Sequence, residues 1–226
     1  MIFGLVTRGP VEGGGLFDRV TTVCAVGTAE SKGRRTVLAL TAVLTYLLLG
    51  RAVAPPLTPY WGYHVLQTVV VLAIVMVIES VVAEDGGLAW QTHALIVATL
   101  VADVLGNVVD LYHAFPPYDK FVHFGSGAVV GAVAFNVLAV LDRRRGRRLP
   151  AAGRWLAAVA VSFVVAGVAW ETYEALGDVV FLTDRVQSRD DTVRDLVCDV
   201  LGAAVAGGFL LGAESRVGVR GDARRR

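Results

Sequence analysis

Apolar residues in this chain come in six long runs separated by short polar stretches, at 36–54, 61–78, 88–112, 121–141, 155–176 and 192–212. A helix needs about 20 residues, within a range of about 17–25, to cross a hydrocarbon layer. Five runs meet that length outright. The first is shortest, with its apolar part at 36–49, and reaches Ala54 if Arg51 snorkels to the surface. The pattern predicts an all-α, polytopic transmembrane bundle of about six spans. Residues 1–35, with a Gly-Gly-Gly at 13–15 and no sustained apolar run, are expected to form a cytoplasmic N-terminal tail. Residues 214–226 are expected to form a basic cytoplasmic tail after the transmembrane domain, 36–213. Met1–Val6 is too short for the apolar core of a signal peptide.

Composition agrees with this pattern. Hydrophobic residues make up 55% of the 226, and the mean hydropathy is +0.60. Net charge is only +1, but its distribution is uneven. With the N-terminus placed inside, 16 of the 21 Lys and Arg residues fall in inner segments, chiefly at 143–148 and 216–226. That bias sets the orientation, and an even number of spans returns the C-terminus to the cytoplasm. The arginine runs then read as topology determinants or contacts to anionic headgroups, and no nucleic-acid partner is expected. The localisation that follows is a cell membrane, crossed several times. Cys24 and Cys198 fall on opposite sides of the bilayer, which argues against a disulfide between them.

The acids are distributed the other way. Eleven of the 20 Asp and Glu residues gather at the outer ends of the spans: Asp103, Asp110, Asp119, Glu171, Glu174, Asp178, Asp184, Asp190, Asp191, Asp195 and Asp199. His113 and His123 accompany them. Helical spacing sorts the deeper ones into four stripes: Asp103 with Asp110, Asp119 with His123, Gly167 with Glu171, Glu174 and Asp178, and Asp191 with Asp195 and Asp199. Small residues continue the stripes, and the Gly127-xxx-Gly131 and Gly208-xxx-Gly212 pairs are candidates for close helix contact. Four helices packed through such residues would splay into an outward-facing acidic chamber. Ionisable groups in membrane spans are functional by default, because lipid does not solvate them.

Against these eleven acids stand Lys120, Arg185, Arg189 and Arg194, leaving a formal charge of about −7 at the outer end. Arg194, beside Asp195, is the expected internal counter-ion, with Lys120 beside it as a group for an anionic substrate. A divalent ion would neutralise two more charges. Asp119, His123, Glu171, Asp195 and Asp199 are the expected ligands or acid/base groups, supported by Glu174, Asp191, Asp110 and Asp103. Imidazole with carboxylates suits zinc, manganese, iron or magnesium without a sharp preference. His64 and Gln67 would line the chamber rim, and Glu79 is the one acid that could extend a proton path inward. No phosphate-binding Gly loop, nucleophile elbow or HExxH helix is present, so no nucleotide or organic cofactor is expected.

Three motifs in order, Asp119-Lys120-Phe-Val-His123-Phe124-Gly-Ser-Gly127, Trp170-Glu171-x-x-Glu174 and Asp191-Thr192-x-x-Asp195-x-x-x-Asp199-x-x-Gly202, resemble the VanZ-like superfamily of small bacterial membrane proteins. They are most similar to its YjdF-type branch, as is Asp110-Leu-Tyr112 upstream. The resemblance covers about 60–212 and implies a helical bundle with its site at these motifs. Glu174 stands where the family commonly has Gln, and Asp199 where it commonly has Asn.

Three functions fit. The leading expectation is a cell-envelope protein that binds a divalent cation and acts on a lipid or lipid-linked substrate. It predicts an acidic site closed on the inner side. A proton- or cation-coupled carrier predicts Glu79 near the line from Asp103 to Asp199. A non-catalytic scaffold, its carboxylates bonded to Arg194, Arg185, Lys120 and backbone groups, predicts that every acid has a partner and that no cavity lies among them.

Overall fold

The computed structural model describes Thr41 and residues 61–85, 87–88, 90–146 and 149–223. Apart from Thr41, the expected first span at 36–54 and the tail at 1–35 lie outside the described residues. Regular structure among the described residues is helical throughout. Helix α1 runs Trp61–Val82, α2 Trp90–Val108, the one-turn α3 Leu111–Ala114 and α4 Pro117–Arg144. Helix α5 covers Ala151–Ser162, continues through a π-helical segment Phe163–Ala169, and becomes α6 at Trp170–Val180. Helix α7 starts at Arg189 and runs past the expected span end at 212 to Ala223.

Five of these rods are long and apolar enough to span a membrane: Gly62–Asp85, Gln91–Val108, Pro117–Arg144, Ala151–Val180 and Arg189–Gly212. They correspond one to one with the second to sixth apolar runs. Large apolar side chains such as Met76, Val77, Val179 and Phe209 remain exposed around them, as expected of helices whose solvent is lipid.

The bundle is organised on the contact between α4 and α7. Glycine makes it possible. A Cβ on Gly127 would overlap the Asp199 backbone carbonyl, and one on Gly202 would overlap the Phe124 carbonyl. One step further in, Gly131 faces Ala203, where an added Cβ would lie 2.8 Å from Cα. Ser162 donates to Gly127 O at 3.1 Å and Trp155 Nε1 donates to Ala204 O at 3.0 Å, fastening α5 across the pair. Towards the basic end this contact passes into an apolar layer of Ala132, Phe135, Ala158, Ala206 and Leu210. A second layer, including Val82, Ile96, Leu100, Val104 and Val133, joins α1, α2 and α4.

Two expectations are corrected. Gly208-xxx-Gly212 does not join the α4–α7 contact: among the described residues, a Cβ at either position would meet nothing within 4 Å. The third span does not run unbroken to Tyr112. It ends at Val108, and Asp110 turns the chain in the left-handed region at φ 62°. Asp110 therefore leaves the face it was expected to share with Asp103. It lies exposed and pairs with His113 at 2.6 Å.

At the basic end, Arg144 Nη2 lies 2.7 Å from Asp85, tying α4 to the turn after α1. Glu79 pairs with His93 at 2.8 Å and accepts from Leu88 N at 3.1 Å, so its role is to hold the α1–α2 connection.

Gly202→Val is expected to cost more than about 3 kcal/mol, since backbone lies where the side chain would go. Gly208→Ala should be neutral, or stabilising by up to about 1 kcal/mol from helix propensity. Unfolding of the two variants in detergent compares them directly.

Candidate functional site

The acidic end of the bundle is built by helix ends. Pro116 and Pro117 preset the first turn of α4 and direct Asp119, in that turn, toward α7. One turn later His123 is buried, and on α7 the stripe of Asp191, Asp195 and Asp199 runs from half-buried to fully buried. The α4–α7 glycine contact lies immediately below and sets the two stripes against each other.

Lys120 bridges them. Its Nζ donates to Asp119 Oδ2 at 2.8 Å, Asp191 Oδ1 at 2.7 Å and Asp195 Oδ1 at 2.6 Å. Beneath it, His123 Nδ1 lies 3.2 Å from Asp199 Oδ2. A carboxylate only accepts, so Nδ1 carries the proton and Nε2 faces the other acids. Nε2 is 3.7 Å from Asp119 Oδ1 and 3.9 Å from Asp195 Oδ1. The π segment sets Gly167 against Asp199 and delivers Glu171 and Glu174 from α6, each offering an oxygen within 4.8 Å of a His123 nitrogen. Such π segments recur at functional sites because the extra residue re-aims the side chains beyond it.

A second network adjoins the first through Glu174. Arg185, in the loop between α6 and α7, lies 3.2 Å from Glu174 Oε1 and 3.2 Å from Asp103 Oδ1. It also donates to Asn107 Oδ1 at 2.8 Å. Its guanidinium lies over the rings of Tyr63 at 5.3 Å and Tyr112 at 5.2 Å. Burial works against its charge, but Asp103 and Glu174 outweigh burial and hold its pKa well above the ordinary arginine value. Asp103 itself accepts from Gln67 at 2.8 Å and Tyr112 OH at 2.6 Å. Asp178 fixes the loop, accepting from Thr183 OH and from the backbone N–H of Arg185 and Val186 at 2.8 and 3.0 Å.

Two oxygens break the pattern of satisfied acids. Asp199 Oδ1, on a side chain with no exposure, and Glu171 Oε1 are buried without a hydrogen-bond partner among the described residues. A buried acceptor left in this condition costs about 1–3 kcal/mol, more if charged.

A family model described as a predicted membrane protein, DUF2238, matches residues 36–216. The chain belongs to this family. The match takes in all five described spans and every residue of both networks. Comparison with curated proteins and with solved structures finds no match. Membership of DUF2238 therefore establishes a membrane protein and leaves the chemistry to the site itself.

Of the expected site residues, the structure brings together Asp119, Lys120, His123, Glu171, Glu174, Asp191, Asp195 and Asp199. Asp103 joins through Arg185, while Asp110 is excluded. His64 and Gln67 are buried beside Asp103, within the second network rather than on a rim. Arg194 is not the internal counter-ion. It is exposed and enters no ion pair among the described residues. Neighbours i and i+1 on a helix point about 100° apart, so Arg194 turns outward when Asp195 turns in. Arg185, which sequence reasoning named only as one partner in the scaffold reading, takes the place expected of Arg194. The one available signal was that Asp103, deep in its span, had no cation on its own face and required one from a loop.

Arg185→Gln removes one partner from a buried ion network and should cost about 3–5 kcal/mol. Arg194→Gln should stay within about 0.5 kcal/mol of wild type. Thermal unfolding in detergent measures both.

Proposed function

We propose that this bacterial cell-envelope membrane protein binds a divalent cation between α4, α6 and α7 and uses it on a lipid or lipid-linked substrate. The observation that carries the reading is the His–carboxylate group of Asp119, His123 and Asp195 at ligand spacing, with the buried Asp199 behind the imidazole. Ligands about 2.1 Å from a tetrahedral ion stand about 3.4 Å apart, so the 3.7 and 3.9 Å separations about His123 Nε2 need only small contraction. Asp119, His123 and Asp195 then hold the ion, and Asp199 fixes the imidazole through Nδ1–H, the arrangement typical of metal-bound histidines. Glu171 and Glu174 form a second carboxylate pair within reach of the same ring.

A bound ion would polarise an oxygen of a substrate such as a phosphoryl group. Glu171, with its unpartnered oxygen, is placed to take a proton from an attacking hydroxyl.

Two alternatives predict different geometry. A proton path needs Glu79 close to the acids, but Glu79 is twelve residues along α1 from Gln67, about 18 Å away, and bound to His93. An apolar layer of Ala132, Phe135, Ala158, Ala206 and Leu210 also lies below the site. A purely structural network needs every acid satisfied, whereas one oxygen of Asp199 and one of Glu171 have no partner among the described residues.

Elemental analysis of protein purified without chelators tests the reading. About one divalent ion per chain is expected in wild type, with loss of most of it in His123→Ala and Asp195→Asn. Folded wild-type protein that neither retains nor takes up a divalent metal contradicts it. With metal present, phosphate release from phosphatidic acid in mixed micelles tests the lipid-substrate part, and loss of that release in Glu171→Gln is the expected result.

A further inference from the structure

Lys120 occupies the same carboxylates that the cation site requires. Its Nζ holds Asp119 and Asp195, both expected ligands, together with Asp191, which belongs to neither group of candidate ligands around His123. Asp195 makes the conflict sharp, because a single oxygen, Oδ1, serves both arrangements. It accepts from Nζ at 2.6 Å and also faces His123 Nε2 at 3.9 Å. An ion about 2.1 Å from that oxygen would lie at most about 4.7 Å from the ammonium. Like charges at that separation in a half-buried site repel strongly.

We propose that Lys120 is a tethered competitor for the cation: its ammonium closes the site in the absence of an ion, and ion binding displaces it. The proposal rests on the cation-site reading above and adds to it a mode of regulation. A lysine suits the task. It carries a compact point charge on a flexible four-carbon stem, whereas an arginine fork would be fixed by geometry. Its side chain is 24% exposed, so a route out of the site exists, in contrast to Arg185 at 11% between two tyrosine rings. Position also favours it. Lys120 lies in the first turn of α4, where a swing of the stem carries the ammonium past the helix end without disturbing the glycine contact below.

The site therefore has two cation-filled states. In the first, Lys120 ties α4 to the start of α7 through Asp191 and Asp195. In the second, the ion takes Asp119 and Asp195, while Asp191 loses its partner. Loading thus loosens the outer turn of α7 and gives the carboxylates near-constant charge compensation throughout. Removing Lys120 charge leaves the acids uncompensated until an ion arrives.

Calorimetric titration of Mn²⁺ into the purified full chain in detergent decides the matter, using wild type, Lys120→Gln and Arg194→Gln. Arg194 is the control because it removes one positive charge beside Asp195 without touching the network. Displacement predicts that Lys120→Gln binds Mn²⁺ at least about tenfold more tightly, with Arg194→Gln within about twofold of wild type. Mn²⁺ binding by Lys120→Gln alone, with none by wild type, overturns it, because an ammonium that no ion displaces is a permanent counter-ion. If wild type binds and Lys120→Gln binds equally or more weakly, the lysine positions the ligands instead, and the proposal fails while the cation site stands. A gain in Arg194→Gln equal to that in Lys120→Gln overturns it in the same way, reducing it to general electrostatics. If no variant binds, the cation reading fails with it. Should Lys120→Gln not fold, Asp191→Asn decides alone. Tighter binding after loss of this acid supports displacement, since lost charge by itself weakens cation binding, and unchanged or weaker binding overturns it.

Discussion

Eight carboxylates are buried or half-buried at one end of this bundle, and compensating them is the constraint on which the rest depends. Asp103, Glu174, Asp195 and Asp199 are buried, with Asp119, Glu171, Asp178 and Asp191 around them. Lys120 and Arg185 are the cations placed among them, and each joins elements remote in sequence. Breaking such a buried pair costs far more than the pair contributes, because the remaining charge has no solvent to turn to. The acids thus act as the fasteners of the acidic end, with the loop before α7 held in place by Arg185 and Asp178.

Close packing of α4 on α7 makes that concentration of charge possible. Gly127 and Gly202 bring two backbones into contact just below His123 and Asp199. The apolar layer beneath closes the bundle toward the basic end. The site is consequently flanked by α4, α6 and α7 and floored by apolar packing. Removal from bulk water strengthens the charge interactions made inside it.

Much of this was legible in the sequence, for identifiable reasons. Run length alone marked the second to sixth spans, because hydrocarbon thickness fixes how many apolar residues a helix needs. The i, i+4 stripes of α4 and α7 transferred unchanged, since a straight helix preserves its faces. Where the backbone departs from a straight helix, the pattern misled: the left-handed turn at Asp110 took that acid off the Asp103 face. Helices ending at a loop hid Arg185 in the same way, for no periodicity says where a loop side chain folds back. Arg194 misled for the opposite reason, because adjacency along a helix was mistaken for adjacency in space. The glycine pairs were also unequal: Gly127 and Gly131 meet α7, while Gly208 and Gly212 meet no neighbouring helix among the described residues.

The central claim is that His123 and the carboxylates of α4 and α7 form one first coordination sphere. Electron–nuclear double resonance on the Mn²⁺-loaded protein tests it most directly, since it reports the nitrogen atoms bound to the ion. One directly coupled imidazole nitrogen, absent in His123→Ala, is the predicted result. A manganese ion surrounded by oxygen alone, with no nitrogen coupling in the wild type, would contradict the account.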